Sequence, residues 1–569
     1  MREVKHSANG PQRQAAWTSV NWRKANRLVR NLRQRIFRAT QEGDYQKVRS
    51  LQKLMLRSQA NRLVSVRRVT QINRGKNTAG VDKILVKTPE ARGRLIEELA
   101  DYQPWKAKPA RRVYIPKANG QPRPLGIPTI LDRSVQAVVK NALEPCWEAK
   151  FETNSYGFRP GRGCHDAMQK IYNLACPNRK KKWVLDADIK GAFDNICHDY
   201  LLEALGQFPA KELIRQWLKA GYLDKGVFHE TKTGTPQGSV ISPLLLNVAL
   251  HGMEEVLGIQ YDKTGRSRNS RGFVRYADDL VVFCETEEDA QNSKQILNSW
   301  LNKRGLALSE EKTKSVHLKQ GFDFLGFNVK HYPAPKTSKT GYKLFIKPSK
   351  KSVLKIRRKL KEVWQNAQSG HTEALLTQLN PIIRGWANYF RIGVAKQTFE
   401  ALDDWMFKRA VRHTKRKHPH KTWKWRKARY WGQLNPQSQS KWVFGDKKTG
   451  RYVLKFARFP IKRHTLVKGK ASPDDPSLKE YWKTRERRKI QQLAPREQKL
   501  ALKQKGRCRG CGVTLFNDEE LHIHHLKPKK LGGTDEQDNL EVVHLYCHQQ
   551  IHASKPVKMV RSVPKLLLE

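Results

Sequence analysis

Tyr276-Ala277-Asp278-Asp279 lies between two apolar runs, Phe273-Val274 and Leu280-Val281-Val282-Phe283. Short apolar runs on either side of a tight tetrapeptide predict a β-hairpin with its acids at the turn. Upstream, Trp183-Val184-Leu185-Asp186-Ala187-Asp188 predicts a strand that ends on another acid. Adjacent acids in a turn are usually solvated. Here they are flanked by buried-type strands, where an unpaired carboxylate is costly. Metal binding answers that cost. Asp188, Asp278 and Asp279, converging from two strands, can hold two divalent cations, as phosphoryl transfer by a two-metal site requires.

The rest of the chain has the charge that such chemistry needs. Its 569 residues include 111 Lys and Arg against 52 Asp and Glu, a formal net charge of +59. At roughly 100–200 residues per domain, about three to five domains are expected. A charge excess of this size repels itself unless a polyanion neutralises it, and nucleic acid is the first candidate. An anionic membrane is the competitor, but no apolar run is long enough to span a bilayer, and Met1 is followed by a polar, basic stretch rather than a signal peptide. A soluble, cytoplasmic protein is expected. Of eight cysteines, five (Cys146, Cys164, Cys176, Cys197, Cys284) are scattered and read as small buried hydrophobes. Cys508, Cys511 and Cys547 lie in a His-rich segment, which suggests metal rather than disulfide.

Residues 20–70 carry an apolar repeat at helical spacing (Leu28, Leu32, Ile36, then Val48, Leu51, Met55), broken into two helices at Gly43-Asp44. Residues 105–345 alternate helical and strand patterns, as in an α+β catalytic domain. Residues 350–415 are helical, with Val353, Ile356, Leu360 and Val363 as one stripe among cations. Residues 420–470 are basic and rich in tryptophan (Trp423, Trp425, Trp431, Trp442). Rings among Lys and Arg can stack bases while the charges follow phosphates; packing in a core is the equal alternative for any one of them. Ser472-Pro473-Asp474-Asp475-Pro476 looks like a boundary, and a charged helix over 477–505 leads to the Cys/His segment.

Three of these elements, in order, resemble reverse transcriptases. Tyr276-Ala277-Asp278-Asp279 is similar to their YADD box, Asp188-Ile189-Lys190-Gly191-Ala192-Phe193-Asp194 to their first metal-binding motif, and Thr235-Pro236-Gln237-Gly238-Ser239 to the next, whose loop packs against template and incoming nucleotide. The resemblance implies that Phe193 blocks a ribose 2′-OH, that Lys117 and Arg123 grip the triphosphate, that Gln237 belongs to the nucleotide site, and that Lys312 protonates the leaving pyrophosphate. Phe324-Leu325-Gly326-Phe327 is similar to the primer grip. Further segments resemble group II intron-encoded proteins: Lys76 to Asp82 their N-terminal extension, Ser155-Tyr156-Gly157-Phe158-Arg159-Pro160 a second typical string, and Leu379 to Phe390 the maturase thumb, domain X.

At the C-terminal end, Cys508-x-x-Cys511 and His544-x-x-Cys547 have structural-zinc spacing. Together with His524-His525, Asn539, His548 and His552 they resemble an HNH endonuclease. By that resemblance His525 is the general base, His524, His548 and His552 hold a divalent ion, and Asn539 orients the His525 loop. His544 departs from the family, which more often has cysteine there.

The resemblance implies a right-hand polymerase: an N-terminal extension and the start of the fingers (1–104), fingers and palm (105–345), thumb (346–419), DNA-binding segment (420–476), then a linker helix and a ββα-metal HNH module (477–569). It implies an RNA-directed DNA polymerase that is also a maturase and an endonuclease in intron mobility. Its cofactors would be two Mg²⁺ at the polymerase site, a structural Zn²⁺ and a divalent ion at the nuclease. Its partners would be group II intron RNA, target DNA and dNTPs, with a homodimer as a candidate assembly, in a bacterial cytoplasm and at the nucleoid when acting on DNA.

Overall fold

The four palm strands lie in the order Gly272–Tyr276, Asp279–Cys284, Trp183–Asp188, Lys314–His317, all neighbours antiparallel. They belong to a computed structural model that describes residues 17–100, 106–116, 120–261, 270–335, 337–367, 370–436, 438–517 and 519–553. The hairpin expected at Tyr276–Asp279 is present, and the strand expected before Asp188 pairs beside it in full register, from Trp183 opposite Cys284 to Asp188 opposite Asp279. Val184, Leu185, Val274, Val281, Val282 and Phe283 are all wholly buried, so both faces of the sheet are covered. One face joins a core with the helices Ile130–Lys150, Ser242–Ala249 and Glu287–Asn302, the other a core with the thumb.

The N-terminal segment forms three helices, not the two expected: Trp22–Gln41, Tyr45–Arg57 and Gln59–Arg67. Gly43, at φ +76°, makes the first break. The second comes at Ser58, which leaves helical geometry and accepts a hydrogen bond from the Asn61 amide as an N-cap. In the fingers, the antiparallel hairpin Ala110–Pro116 and Pro122–Ile127 is extended by Tyr222–Asp224, parallel to the first strand, and then by Val227–His229.

The thumb packs as the apolar stripe anticipates. Ile356 and Leu360 are buried, and Val353 and Val363 pack at their flanks. Trp431, Phe444, Phe456 and Val467 enter this same core, so the tryptophan-rich segment is built onto the thumb. Its tryptophans divide by role: Trp431 is 3% exposed, whereas Trp423 and Trp425 are 36% and Trp442 45% exposed.

Two expectations near the C-terminal end need correction. The helix anticipated over 477–505 is two helices, Lys479–Ile490 and Pro495–Lys503, because Pro495 cannot continue a helix from residues before it. The stretch 472–476 is no free linker. Ser472 and Asp474 are buried, and Arg33 from the first helix reaches Asp474 Oδ2 at 2.7 Å and Glu144 Oε2 at 2.9 Å. The Cys/His module draws part of its core from elsewhere in the chain. Leu500, Cys508, Val542 and Cys547 share one apolar cluster with Trp17, Trp22, Val66 and Val69 of the N-terminal segment. A module this small buries too little by itself, and the extension supplies the missing core. Of the five scattered cysteines, Cys146 and Cys284 are buried as expected, while Cys164, Cys176 and Cys197 are half-buried.

Removing Arg33 would leave buried Asp474 without its cation and Glu144 with Lys140 alone, among the described residues, as an ion-pair partner at 3.6 Å. Arg33→Ala should destabilise the chain by about 3 kcal/mol, read as a lower denaturant midpoint by circular dichroism. An unchanged midpoint would mean that the triad contributes no net stability.

Candidate active sites

Pairing brings Asp188 and Asp279 directly opposite one another, and Asp278 sits in the turn between the hairpin strands. The turn places Ala277 at φ +59°. Gly157 lies against it so closely that a Cβ there would fall 2.3 Å from the Ala277 nitrogen. The segment 154–157 runs along the hairpin, with the Tyr156 amide donating to the Arg275 carbonyl and the Arg275 amide to that of Asn154, both at 2.9 Å. Beneath the turn the Arg275 guanidinium, completely buried, donates to Asn247 Oδ1 at 3.0 Å and to the Ala277 carbonyl at 3.2 Å. Asn247 in turn donates to the Gly157 carbonyl at 2.9 Å. Neither Arg275 nor Asn247 was singled out from the sequence. Strand alternation placed Arg275 beside Val274 but did not show that its charge is enclosed.

The acids repel. Burial, then the charges of Asp278 and Asp188, pushes Asp279 up to about 7. Burial raises Asp278 as well. Asp186, two residues before Asp188 and on the same face of the strand, is pushed up to about 7 by burial, Asp323 and Asp188. The one cation bound directly to the triad among the described residues is Lys312, whose Nζ lies 2.6 Å from Asp188 Oδ2. Clustered, partly buried carboxylates with so little compensation fit divalent cations.

Around the triad, half-buried Phe193 meets Phe158 edge-on at 6.3 Å between ring centroids. Its carbonyl accepts from the Thr235 amide at 2.6 Å, and Gln237 Nε2 donates to Asp194 Oδ2 at 3.2 Å. The Gly126 amide donates to the Gln237 carbonyl at 2.8 Å, which ties the 235–239 loop to the fingers sheet. Arg123 is exposed on that sheet, opposite Ile115, and its charge favours the ionised form of Asp278. Lys117 lies outside the described residues. The primer-grip string turns between strands Phe322–Phe324 and Phe327–Pro333, with Leu325 at φ +48°.

In the C-terminal module a hairpin, Leu521–His525 with Leu540–His544, precedes the helix Leu545–Ala553. This is a ββα unit. Cys508, Cys511, His544 and Cys547, all buried, bring one ligand atom each within 4.8 Å of one another, and His524, His548 and His552 form a second such group. His544 Nδ1 faces Cys511 Sγ at 3.3 Å, while its Nε2 meets the Thr514 carbonyl at 3.1 Å. That hydrogen bond fixes the tautomer with Nδ1 free to ligate, so His544 can stand where the family more often has cysteine. Strand alternation sends His524 toward the helix histidines and His525 the other way, where its Nε2 lies 2.8 Å from Asp535 Oδ1. Asp535 is a partner that sequence spacing gave no reason to choose. Asn539 accepts from the Lys527 amide and donates to the carbonyls of Lys527 and Thr534, closing the loop after His525. Arg67 of the N-terminal segment donates to Cys547 Sγ at 3.1 Å and pairs with Glu519 at 3.2 Å.

Palm, fingers and thumb around an acid triad, joined to a ββα unit with two ligand clusters, define a nucleic-acid polymerase fused to a metal-dependent nuclease. Family models for the N-terminal domain of reverse transcriptase match residues 17–99, for reverse transcriptase (RNA-dependent DNA polymerase) 115–329, for the group II intron maturase-specific domain 353–431, and for HNH endonuclease 508–554. The chain belongs to the group II intron-encoded reverse transcriptase/maturase proteins that carry an HNH domain. It is 35% identical to protein YkfC of Escherichia coli over 48% of this chain and 82% of that protein. It is 32% identical to the group II intron-encoded protein LtrA of Lactococcus lactis over 45% of this chain and 53% of LtrA, about half of that relative's length. The putative COX1/OXI3 intron 1 protein of Saccharomyces cerevisiae is 29% identical over 40% of this chain and 33% of that protein. The domains make the chain an RNA-directed DNA polymerase and nuclease that uses divalent metal and binds intron RNA. No helix among the described residues is long and apolar enough to cross a membrane.

The charge on the acids gives a pH dependence. In metal-free protein Asp279 keeps its proton to about pH 7, whereas an unfolded aspartate releases it near ~4. The native state therefore binds more protons across that interval. Stability from this group falls as pH rises from about 4 to about 7, and the repulsion is fully felt above 7. A divalent cation held by these acids would take the proton's place, so Mg²⁺ should raise the thermal midpoint more at pH 8 than at pH 5.5, and Asp279→Asn should remove the difference. Equal rises at both pH values in the unsubstituted protein would contradict this.

Proposed function

We propose that the chain drives retromobility of a group II intron: its ribonucleoprotein inserts intron RNA into one DNA strand, the HNH module nicks the other, and the polymerase extends the new 3′ end along the intron. The observation that carries this reading is the union, in one chain, of the Asp188/Asp278/Asp279 cluster with the His524/His548/His552 cluster, whose module Arg67 of the N-terminal segment holds through Cys547 and Glu519. Asp188, Asp278 and Asp279 hold two Mg²⁺, which would supply Lewis acidity toward the primer 3′-oxygen and the leaving oxygen. Arg123 and Lys117 orient the triphosphate through charge, and Gln237 borders the nucleotide. The Phe193 ring lies under the sugar, where it collides with a 2′-OH. Lys312, whose proton affinity is raised by its bond to Asp188, delivers a proton to pyrophosphate. In the nuclease His525, held by Asp535, takes a proton from the attacking water; His524, His548 and His552 hold the divalent ion. Cys508, Cys511, His544 and Cys547 hold a structural Zn²⁺. The exposed Trp423, Trp425 and Trp442, among the cations of 420–470, meet target DNA.

Phe193→Val should admit ribonucleotides on an RNA template with a DNA primer, raising rNTP incorporation tenfold or more while dNTP use largely survives. No rise would remove Phe193 as the sugar gate.

The nuclease is tested in the assembled ribonucleoprotein on a DNA target. His525→Ala should cut second-strand nicking at least a hundredfold while leaving primer extension intact, and Asp278→Ala should do the reverse. Cys508→Ser should lose nicking together with bound zinc, measured by metal content per chain. Nicking at the wild-type rate by His525→Ala would make the C-terminal module a DNA clamp.

A further inference from the structure

Where the N-terminal extension meets the nuclease's last helix there is a cavity of about 380 Å³, within the roughly 300–1,000 Å³ of typical ligand sites. One wall is Trp17, Trp22 and the helices that carry Arg67, Thr70 and Arg92; the other is Tyr546, Gln549 and Gln550 of the nuclease. Lys76 and Asn77, from the string that resembles the family's N-terminal extension, close one end. Among the described residues four cations line the cavity (Arg67, Lys76, Lys87 and Arg92), and no Asp or Glu does.

The cations are not equivalent. Arg67 is balanced by Glu519 at 3.2 Å and by the Cys547 sulfur. Lys76 is engaged with the Tyr546 hydroxyl and lies 5.0 Å from its ring centroid. Arg92 is 7% exposed, yet its hydrogen bonds go to neutral oxygens: the Thr70 hydroxyl at 3.1 Å and the Lys87 carbonyl at 2.7 Å. The Trp17 ring lies 5.7 Å from Cζ, and Glu90 and the Tyr546 hydroxyl act on it only through space, with no hydrogen bond to it. Burial depresses its pKa accordingly. A guanidinium taken from water without a carboxylate is costly, and an incoming anion offsets that cost. Lys87 is exposed at the same cavity and adds a second free charge.

We propose that this cavity binds one unpaired nucleotide of a single-stranded nucleic acid, its phosphate on Arg92 and Lys87 and its base against the aromatic and amide wall of Tyr546, Gln549 and the tryptophans. Phosphate suits a planar guanidinium fork beside a lysine, and base-sized apolar surface beside amides suits a nucleobase. The site needs both modules, so a strand held here bridges polymerase and nuclease. RNA and DNA share the chemistry. The proposal rests on the reading that the chain works on nucleic acid.

Photocrosslinking of the full chain tests it. Two single-stranded oligonucleotides of one sequence, an RNA bearing 4-thiouridine and a DNA bearing 4-thiothymidine, are irradiated with the protein, and crosslinked peptides are mapped by mass spectrometry. Crosslinks to peptides containing Trp17, Trp22 or Tyr546 are expected with at least one of the two, and the arm that gives them identifies the strand. Arg92→Gln and Lys87→Gln should each reduce those crosslinks at least fivefold without reducing crosslinks elsewhere, and Lys53→Gln, an exposed cation on another helix, should not. Lys87 is on the surface, so its variant decides the matter if Arg92→Gln misfolds. Crosslinks elsewhere but none at these peptides, or crosslinks here that survive both substitutions, would overturn the site. An absence of crosslinks anywhere would overturn the nucleic-acid reading as well.

Discussion

Like charge crowded at one turn is the constraint on which the palm is built. Asp188, Asp278 and Asp279 repel one another, and a hairpin left to itself would relax by opening. Arg275 prevents this from behind. It is wholly enclosed and holds the Ala277 carbonyl and Asn247, while Asn247 holds the Gly157 carbonyl. Glu152, 4.0 Å from Arg275, is itself held by the amides of Gly252 and Glu254. Four separate parts of the chain are thus fixed against the back of one turn. The acids keep their repulsion, and with it their affinity for cations, because they cannot move apart.

The same logic explains the choice of glycine at 157. The segment preceding it adds itself along the hairpin by backbone bonds, and any Cβ at that point would enter the turn's own backbone. The floor of the polymerase site is therefore made of main chain. Behind it stand the side chains of Arg275 and Asn247, and among the described residues Lys312 reaches the acids from the side.

Local pattern made much of this legible. Alternation and apolar runs found the three palm strands, helical spacing found the thumb stripe, cysteine and histidine spacing found the four-ligand group, and the resemblance to HNH endonucleases supplied the His524/His548/His552 group before any distance was known. What local pattern does not carry is the pairing of distant charges. Arg33 with Asp474 and Arg67 with Cys547 join residues 441 and 480 apart. In sequence each is one more cation in a chain crowded with them. The division of the tryptophans escaped for a related reason: Trp431 opens a strand and is buried, while Trp442 stands just before one and is exposed, and composition does not tell these places apart. Asp535 was hidden because the loop that brings it to His525 has no period to read.

The shared core of the extension and the nuclease also sets an order in time. Trp22, Val66 and Val69 leave the ribosome well before Val542 and Cys547, with which they share an apolar cluster. The separation between Arg67 and Cys547 is 480 residues, which at about 5–20 residues per second is roughly half a minute to a minute and a half of synthesis. For that interval the first helices stand with an apolar face uncovered, beside arginines that keep it in solution.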